Sequence, residues 1–239
     1  MVSILDEIRA DDKLSTAAHW DDGNKIRDGI LKRAPDEMIK YASQWTVGAG
    51  QVEEKTAEMI NAAGITDLLN LPSCTLTCIV YYTGGAQHPP KQIKFDFYYM
   101  HCVNSSIFFS AFLKQPWISQ QNKVRLLEWK GRLDLCMYAS RRSPKPLLDE
   151  ITNYKPKEPT REGDDPWEGI FQRAKEHDDD GHLAKLARAL AHGELVCRPF
   201  EDRESFRIKG KMWSQLGHMG KHYVPLHRDR NIAYLVSSN

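Results

Sequence analysis

The sequence predicts a mainly α-helical, compact domain built around a buried central helix, and three observations carry that reading. Apolar residues recur at helical spacing over residues 3–14 and 24–45, an apolar run over 93–113 is too long for one ordinary strand, and residues 182–192 form a strongly amphipathic stripe. With 239 residues, 41% of them hydrophobic, the chain can bury a sizeable core, which excludes a disordered or fibrous protein.

Taken in order, Ile26, Ile30, Leu31 and Ala34 repeat at helical intervals ahead of a break at Pro35, and residues 53–63 (EEKTAEMINAA) continue the pattern to a stop at Gly64. Residues 68–82 are rich in Leu, Thr, Cys, Val and Tyr and are expected to form a short extended insert. Gly84, Gly85, Pro89 and Pro90 mark a turn before the run over 93–113, which is apolar almost all the way round and is therefore expected to be buried. Ser119 precedes a helix over 123–139 with a stripe of Leu126, Trp129, Leu133, Cys136 and Met137. Asp165 and Pro166 have the N-cap and first-turn chemistry of a helix running toward His177. After the acidic turn 178–180, the helix over 182–192 is expected to end at Gly193. No internal repeat divides the chain, so one domain over 1–239 is the expected organisation.

Charge and motifs remove several function classes. Lys plus Arg total 33 against 32 acidic residues, a net charge of +1, so no strong field draws the chain to nucleic acid. No stretch approaches the roughly 20 apolar residues of a bilayer span and no leader-like segment opens the chain, which predicts a soluble, cytoplasmic protein with no membrane partner. Five cysteines, three of them inside apolar helical stretches, fit a reducing compartment, and Cys74 and Cys78 lack the second pair that a zinc site needs. Neither GxGxxG after a strand nor GxxxxGK[ST] is present, so no nucleotide motif is visible.

Four groups of residues carry candidate chemistry. His101 lies in the most apolar helix, where burial would lower its pKa and leave a neutral imidazole able to bind a metal; the alternative is a core histidine bonded to a backbone carbonyl or to Ser105. In EHDDDGHLAK, His177 and His182 bracket three carboxylates and Lys185 lies one turn beyond His182, a metal-ligand pattern that also reads as a helix N-terminus capped by Asp180. Lys130 falls beside the apolar stripe with Asp134 one turn later, either an internal ion pair or a desolvated lysine able to take up carbon dioxide and ligate metal; Lys185 is a second such lysine. Tyr98, Phe108 and Trp129 are candidates to stack on a flat aromatic substrate, or are simply core.

The stretches IKFDFYYMHCVNSSIF, PWISQQNKVRLLEWKGRLDLCMYASR, WEGIFQRAKEHDDDGHLAKLARALAHGE and CRPFEDRESFRIKGKMW resemble the carboxyl-terminal half of the questin oxidase-like family, over most of residues 3–63 and 81–218. The resemblance implies oxidation of anthraquinones and related fungal polyketides by NADPH-dependent Baeyer-Villiger oxygen insertion or ring cleavage, without a conventional flavin-binding domain. It also implies a single iron held by histidines and a modified lysine, which makes His101, His177, His182 and Lys185 the favoured metal-site residues and gives Lys185 or Lys130 the catalytic lysine role. The sequence departs from the family pattern over about residues 64–80 and from about 220 onward, and it lacks the family's amino-terminal histidine-rich motifs. The competing expectation is a catalytically inactive helical fragment that serves only as a binding module; a pigment-binding protein without redox chemistry is a third.

Overall fold

The computed structural model of the protein describes residues 1–66, 69–70, 95–161 and 163–223. Helices α1 (Val2–Ala10), α2 (Asp12–Ser15), α3 (Leu31–Arg33), α4 (Pro35–Ala42) and α5 (Val52–Thr66) form the first part. They are followed by α6 (Phe97–Leu113), α7 (Gln120–Ser140), α8 (Leu148–Thr152), α9 (Pro166–Glu176), α10 (His182–Cys197) and α11 (Met212–Tyr223). The only extended pairing among the described residues joins β1 (Leu69–Asn70) to β2 (Lys145–Pro146), antiparallel, with Leu69 opposite Pro146. The fold is thus mainly α, as expected. Apart from β1, the expected insert over 68–82 lies outside the described residues, as do Cys74, Cys78 and the tail from 224.

The punctuation residues act as their chemistry requires. Asp96 accepts from the Tyr98 and Tyr99 amides at 2.8 and 3.1 Å to open α6, Ser119 accepts from Asn122 at 3.3 Å to open α7, and Asp165 accepts from Trp167 at 2.9 Å with Pro166 at the first position of α9. Pro35 begins α4, so the break falls at Ala34. The stretch ahead of α3 is a π-helical turn, Lys25–Ile30, capped by the Asn24 side chain.

Helix α6 is central, lying against α5, α7 and α10. Tyr99, Met100, Val103, Ser106 and Phe109 bury one side of it. Its opposite face remains open: Tyr98, Phe108 and Phe112 are exposed, so an all-round apolar sequence does not produce an all-round buried helix. Helix α7 behaves likewise. Trp129 and Leu133, expected on the core stripe, point outward, and the inward side carries Leu127, Gly131, Leu135 and Tyr138. The reason is Gly131, where an added Cβ would lie 2.2 Å from the Trp45 indole nitrogen. The bare backbone seats Trp45, which turns this side of α7 toward the core.

The same device corrects the expected end of α10, which passes through Gly193 to Cys197. Gly193 is not a stop; a Cβ there would meet the fully buried Trp213 ring at 2.6 Å. Gly64 likewise lies within α5, whose helix continues to Thr66. A third contact of this kind places Gly217 of α11 against Trp167 and Ile170, each 2.9 Å from a built Cβ. The thiols of Cys136 and Cys197 are buried, and burial pushes Cys136 up to about 11 and Cys197 up to about 12, so they pack as inert small hydrophobes, whereas the buried Cys102 hydrogen-bonds the Asp134 carboxylate.

Two histidines make the fold sensitive to acid. On α11, the buried His218 meets Arg173 at 2.8 Å through Nδ1 and Thr160 at 3.4 Å through Nε2, with Glu158 beyond. Burial first, and then the Arg173 charge, hold its pKa below the usual 6.5; burial and Lys114 do the same to His192, which meets Ser110 at 2.8 Å. Both imidazoles are neutral in the fold and take up protons more readily when it opens. Their contribution is present above about pH 6.5 and is lost as pH falls through the lower folded values. The unfolding free energy, followed by urea denaturation from about pH 7 to 5, is expected to decline, and to decline less steeply in H192Q/H218Q.

Candidate metal centre

A five-residue turn between α9 and α10 builds the site. Asp179 closes it: its two carboxylate oxygens accept from the Gly181 and Leu183 amides, both at 2.8 Å, which satisfies the exposed N–H groups at the start of α10. The N-cap position is Gly181, and the carboxylate that reaches the first turn of α10 is that of Asp179 rather than Asp180. Gly181 stands at φ +80°, the left-handed region that a residue with a Cβ enters only at a cost, and this reversal brings Asp180 back over His182. The Asp180 carboxylate grips His182 Nδ1.

Among the described residues, Asp179, Asp180 and His182 are the group whose ligand atoms all lie within 4.8 Å of one another. His101 approaches from α6, its ring centroid 5.5 Å from that of His182. Two of the favoured histidines, 81 positions apart in sequence, are thus brought together by the packing of α6 on α10. His101 is exposed, not deeply buried as its surroundings in sequence suggest, because it lies on the open face of α6. His177 ends α9, and its Nε2 is buried without a hydrogen-bond partner. An orphaned buried imidazole nitrogen beside a carboxylate-rich turn is an atom disposed to accept a ligand. Imidazole and carboxylate donors are of the kind that iron, zinc or manganese accept, and the grouped ligand atoms are those of Asp179, Asp180 and His182, with His101 and His177 outside that grouping.

The lysines separate. Lys185 is exposed, and its Nζ donates to the Asp180 carbonyl at 3.4 Å, at the rim of the turn. Lys130 is buried on α7, forms an ion pair with Asp134, and donates to the Cys102 carbonyl at 3.2 Å. Burial pushes the Asp134 carboxyl up, against the opposing pull of Lys130. This is the internal-pair alternative, and it braces the backbone of α6 one residue after His101.

The aromatic candidates do not share one enclosed pocket. Trp129 borders a groove of about 550 Å³ with Phe112, Trp117 and Leu126. Tyr98 lines a second, more polar pocket and lies under the Arg141 guanidinium, 4.8 Å from ring to charge. Phe108 is exposed on α6 between them. The sequence reading did not single out Arg141, whose Nε and Nη2 both reach Asp96 at 3.2 Å, because 45 residues separate the pair. Nor did it single out Asp179, and it read Asp180 only as a helix cap, although the spacing DDGH, with glycine free to turn, contains the signal for both.

The described residues form a mainly α fold that carries a histidine–carboxylate cluster between two of its helices. Comparison with known families places it: the questin oxidase-like family model matches residues 1–190, and the chain belongs to that family. Among similar curated proteins, the Baeyer-Villiger oxidase ptaJ of Pestalotiopsis fici is 41% identical over 223 residues, covering 92% of this chain and 46% of the relative. The questin oxidase of Aspergillus fumigatus is 35% identical over 225 residues, with 92% and 46% covered. Oxidoreductase AflY of Aspergillus parasiticus is 37% identical over 234 residues, with 97% and 43% covered. The chain spans about half the length of the curated relatives it matches. No described helix is long and apolar enough to cross a membrane.

Proposed function

We propose that this chain carries part of the active centre of an oxidoreductase that inserts oxygen into, or cleaves, a ring carbon–carbon bond of an anthraquinone-type aromatic polyketide. The names of the relatives support the reaction class, and the single observation that supports the site is His182, held by Asp180 and faced by His101. His101 and His182 are the nitrogen ligands in this reading, Asp180 orients His182 and raises its basicity, and His177 is a third nitrogen at the same turn. A bound iron would supply activation of dioxygen. Asp179 keeps the turn closed on α10, and the Lys130–Asp134 pair fixes the α6 backbone beside His101. Lys185, at the rim, is placed to meet an anionic group on the substrate or to ligate after carboxylation.

For oxygen insertion, one atom of dioxygen enters the carbon–carbon bond and the other leaves as water, which needs two electrons and two protons. NADPH from solution is the reductant assigned by family resemblance.

Metal analysis of the purified chain after incubation with ferrous iron tests the site without requiring turnover. About one iron per chain is expected, with affinity reduced roughly 10- to 100-fold in Asp180→Ala and further in His182→Ala. Iron content that is equal in wild type and His182→Ala would overturn the assignment, and oxygen uptake with an anthraquinone then tests the reaction class.

A further inference from the structure

The open side of the molecule is more apolar than a solvent-facing surface has reason to be. On α6, Phe108 and Phe112 are one turn apart, and on α7, Leu126, Trp129 and Leu133 follow at helical intervals on the outward side. The two helices are neighbours. Their connection adds Trp117, 77% exposed, while Phe108, Trp129 and Leu133 are each more than half exposed. Together these side chains present on the order of 500 Å² of apolar surface, the upper range of what a lone protein shows and usually a contact site. The groove bounded by Phe112, Trp117 and Trp129 runs between the helices, a shape that accepts a helix laid into it.

The chain spans less than half of each relative named above. A family fold about twice this size must place its remaining residues against some surface of this part, and among the described residues the face of α6 and α7 is an extended apolar one left open. We infer that this face is the docking surface for the polypeptide segment that the family relatives possess and this chain does not match. The occupant is a helical segment of the questin oxidase-like family, whether joined to this chain or supplied separately. His101 is on the same face and next to His182, so docking there encloses the histidine cluster as well. The inference stands on exposure and length, not on metal chemistry, so its failure and that of the proposed function are separable.

The test co-expresses the full 239-residue chain with the unmatched segment of the Pestalotiopsis fici relative, and measures complex formation by affinity capture and light scattering. A one-to-one complex is expected, weakened at least about 100-fold by W129D/L133D, since Trp129 lines the groove and Leu133 is exposed one turn further along α7. A homodimer of the chain alone that W129D/L133D abolishes would instead make a second copy the occupant and overturn the inference. A fall of more than about 5 °C in the melting temperature of W129D/L133D on its own would show the face to be covered by the chain's own residues, and would overturn it too. Should the segment fail to fold separately, both are joined in one polypeptide and probed by hydroxyl-radical footprinting. Protection of Trp117 and Trp129 relative to the chain alone is expected; undiminished oxidation would overturn the inference.

Discussion

Replacing Trp213 by alanine is expected to lower the unfolding free energy by about 3–5 kcal/mol, the largest effect of any single substitution considered. The indole is fully buried, touches Gly193 of α10 closely enough that no Cβ fits, reaches within 3.5 Å of a Cβ built on Gly64 of α5, and donates its N–H to Glu201 at 3.1 Å. Truncation opens a cavity where three helices meet and leaves a half-buried carboxylate without its donor. Urea denaturation measures it, and Trp213→Phe, which keeps the ring and loses the N–H, should recover more than half of the loss. A loss below about 1 kcal/mol for the alanine variant would contradict the packing described.

The second large effect concerns Lys130 and Asp134. Removing one partner of a buried ion pair leaves the other charge stranded, so Lys130→Met is expected to cost about 3 kcal/mol at pH 8, with K130M/D134L recovering most of it. The pH dependence gives the sign. Burial already pushes the Asp134 carboxyl up, and without Lys130 only the Cys102 hydrogen bond offsets that push. In Lys130→Met the folded chain therefore holds a proton that the unfolded chain releases above about pH 4, and the deficit should shrink as pH falls from 8 toward 5. Denaturation curves of the single and double variants at both pH values test this. A double variant with wild-type stability and undiminished iron binding would also remove Lys130 from the ligand set; loss of iron in the stable double variant would restore it.

Much of the fold was legible in the sequence because caps and breaks are local. Asp165, Ser119 and Pro35 act on amides or dihedrals within three residues of themselves, and helical periodicity needs only one turn to register. The outward face of α7 was not legible, because its orientation is decided by Trp45 entering the notch at Gly131, 86 positions away in sequence. The continuation of α10 through Gly193 has the same origin: a glycine that seats a distant ring looks, in one dimension, like a helix stop. At the site, His177 and His182 stand out as a pair, whereas the meeting of His101 with His182 is a product of tertiary packing. The exposure of His101 was hidden for a further reason. A helix apolar on all sides is usually covered on all sides, and here one side is open.

Three tryptophans, Trp45, Trp167 and Trp213, each rest on a helix glycine, Gly131, Gly217 and Gly193. Neither member of such a pair can drift alone. A larger residue in place of the glycine evicts the ring, and a smaller residue in place of the ring leaves the notch empty. Divergence at these positions must therefore proceed by paired exchange or not at all. The six residues form three heritable units, whose joint loss or retention in a lineage records whether the helix packing itself has been kept.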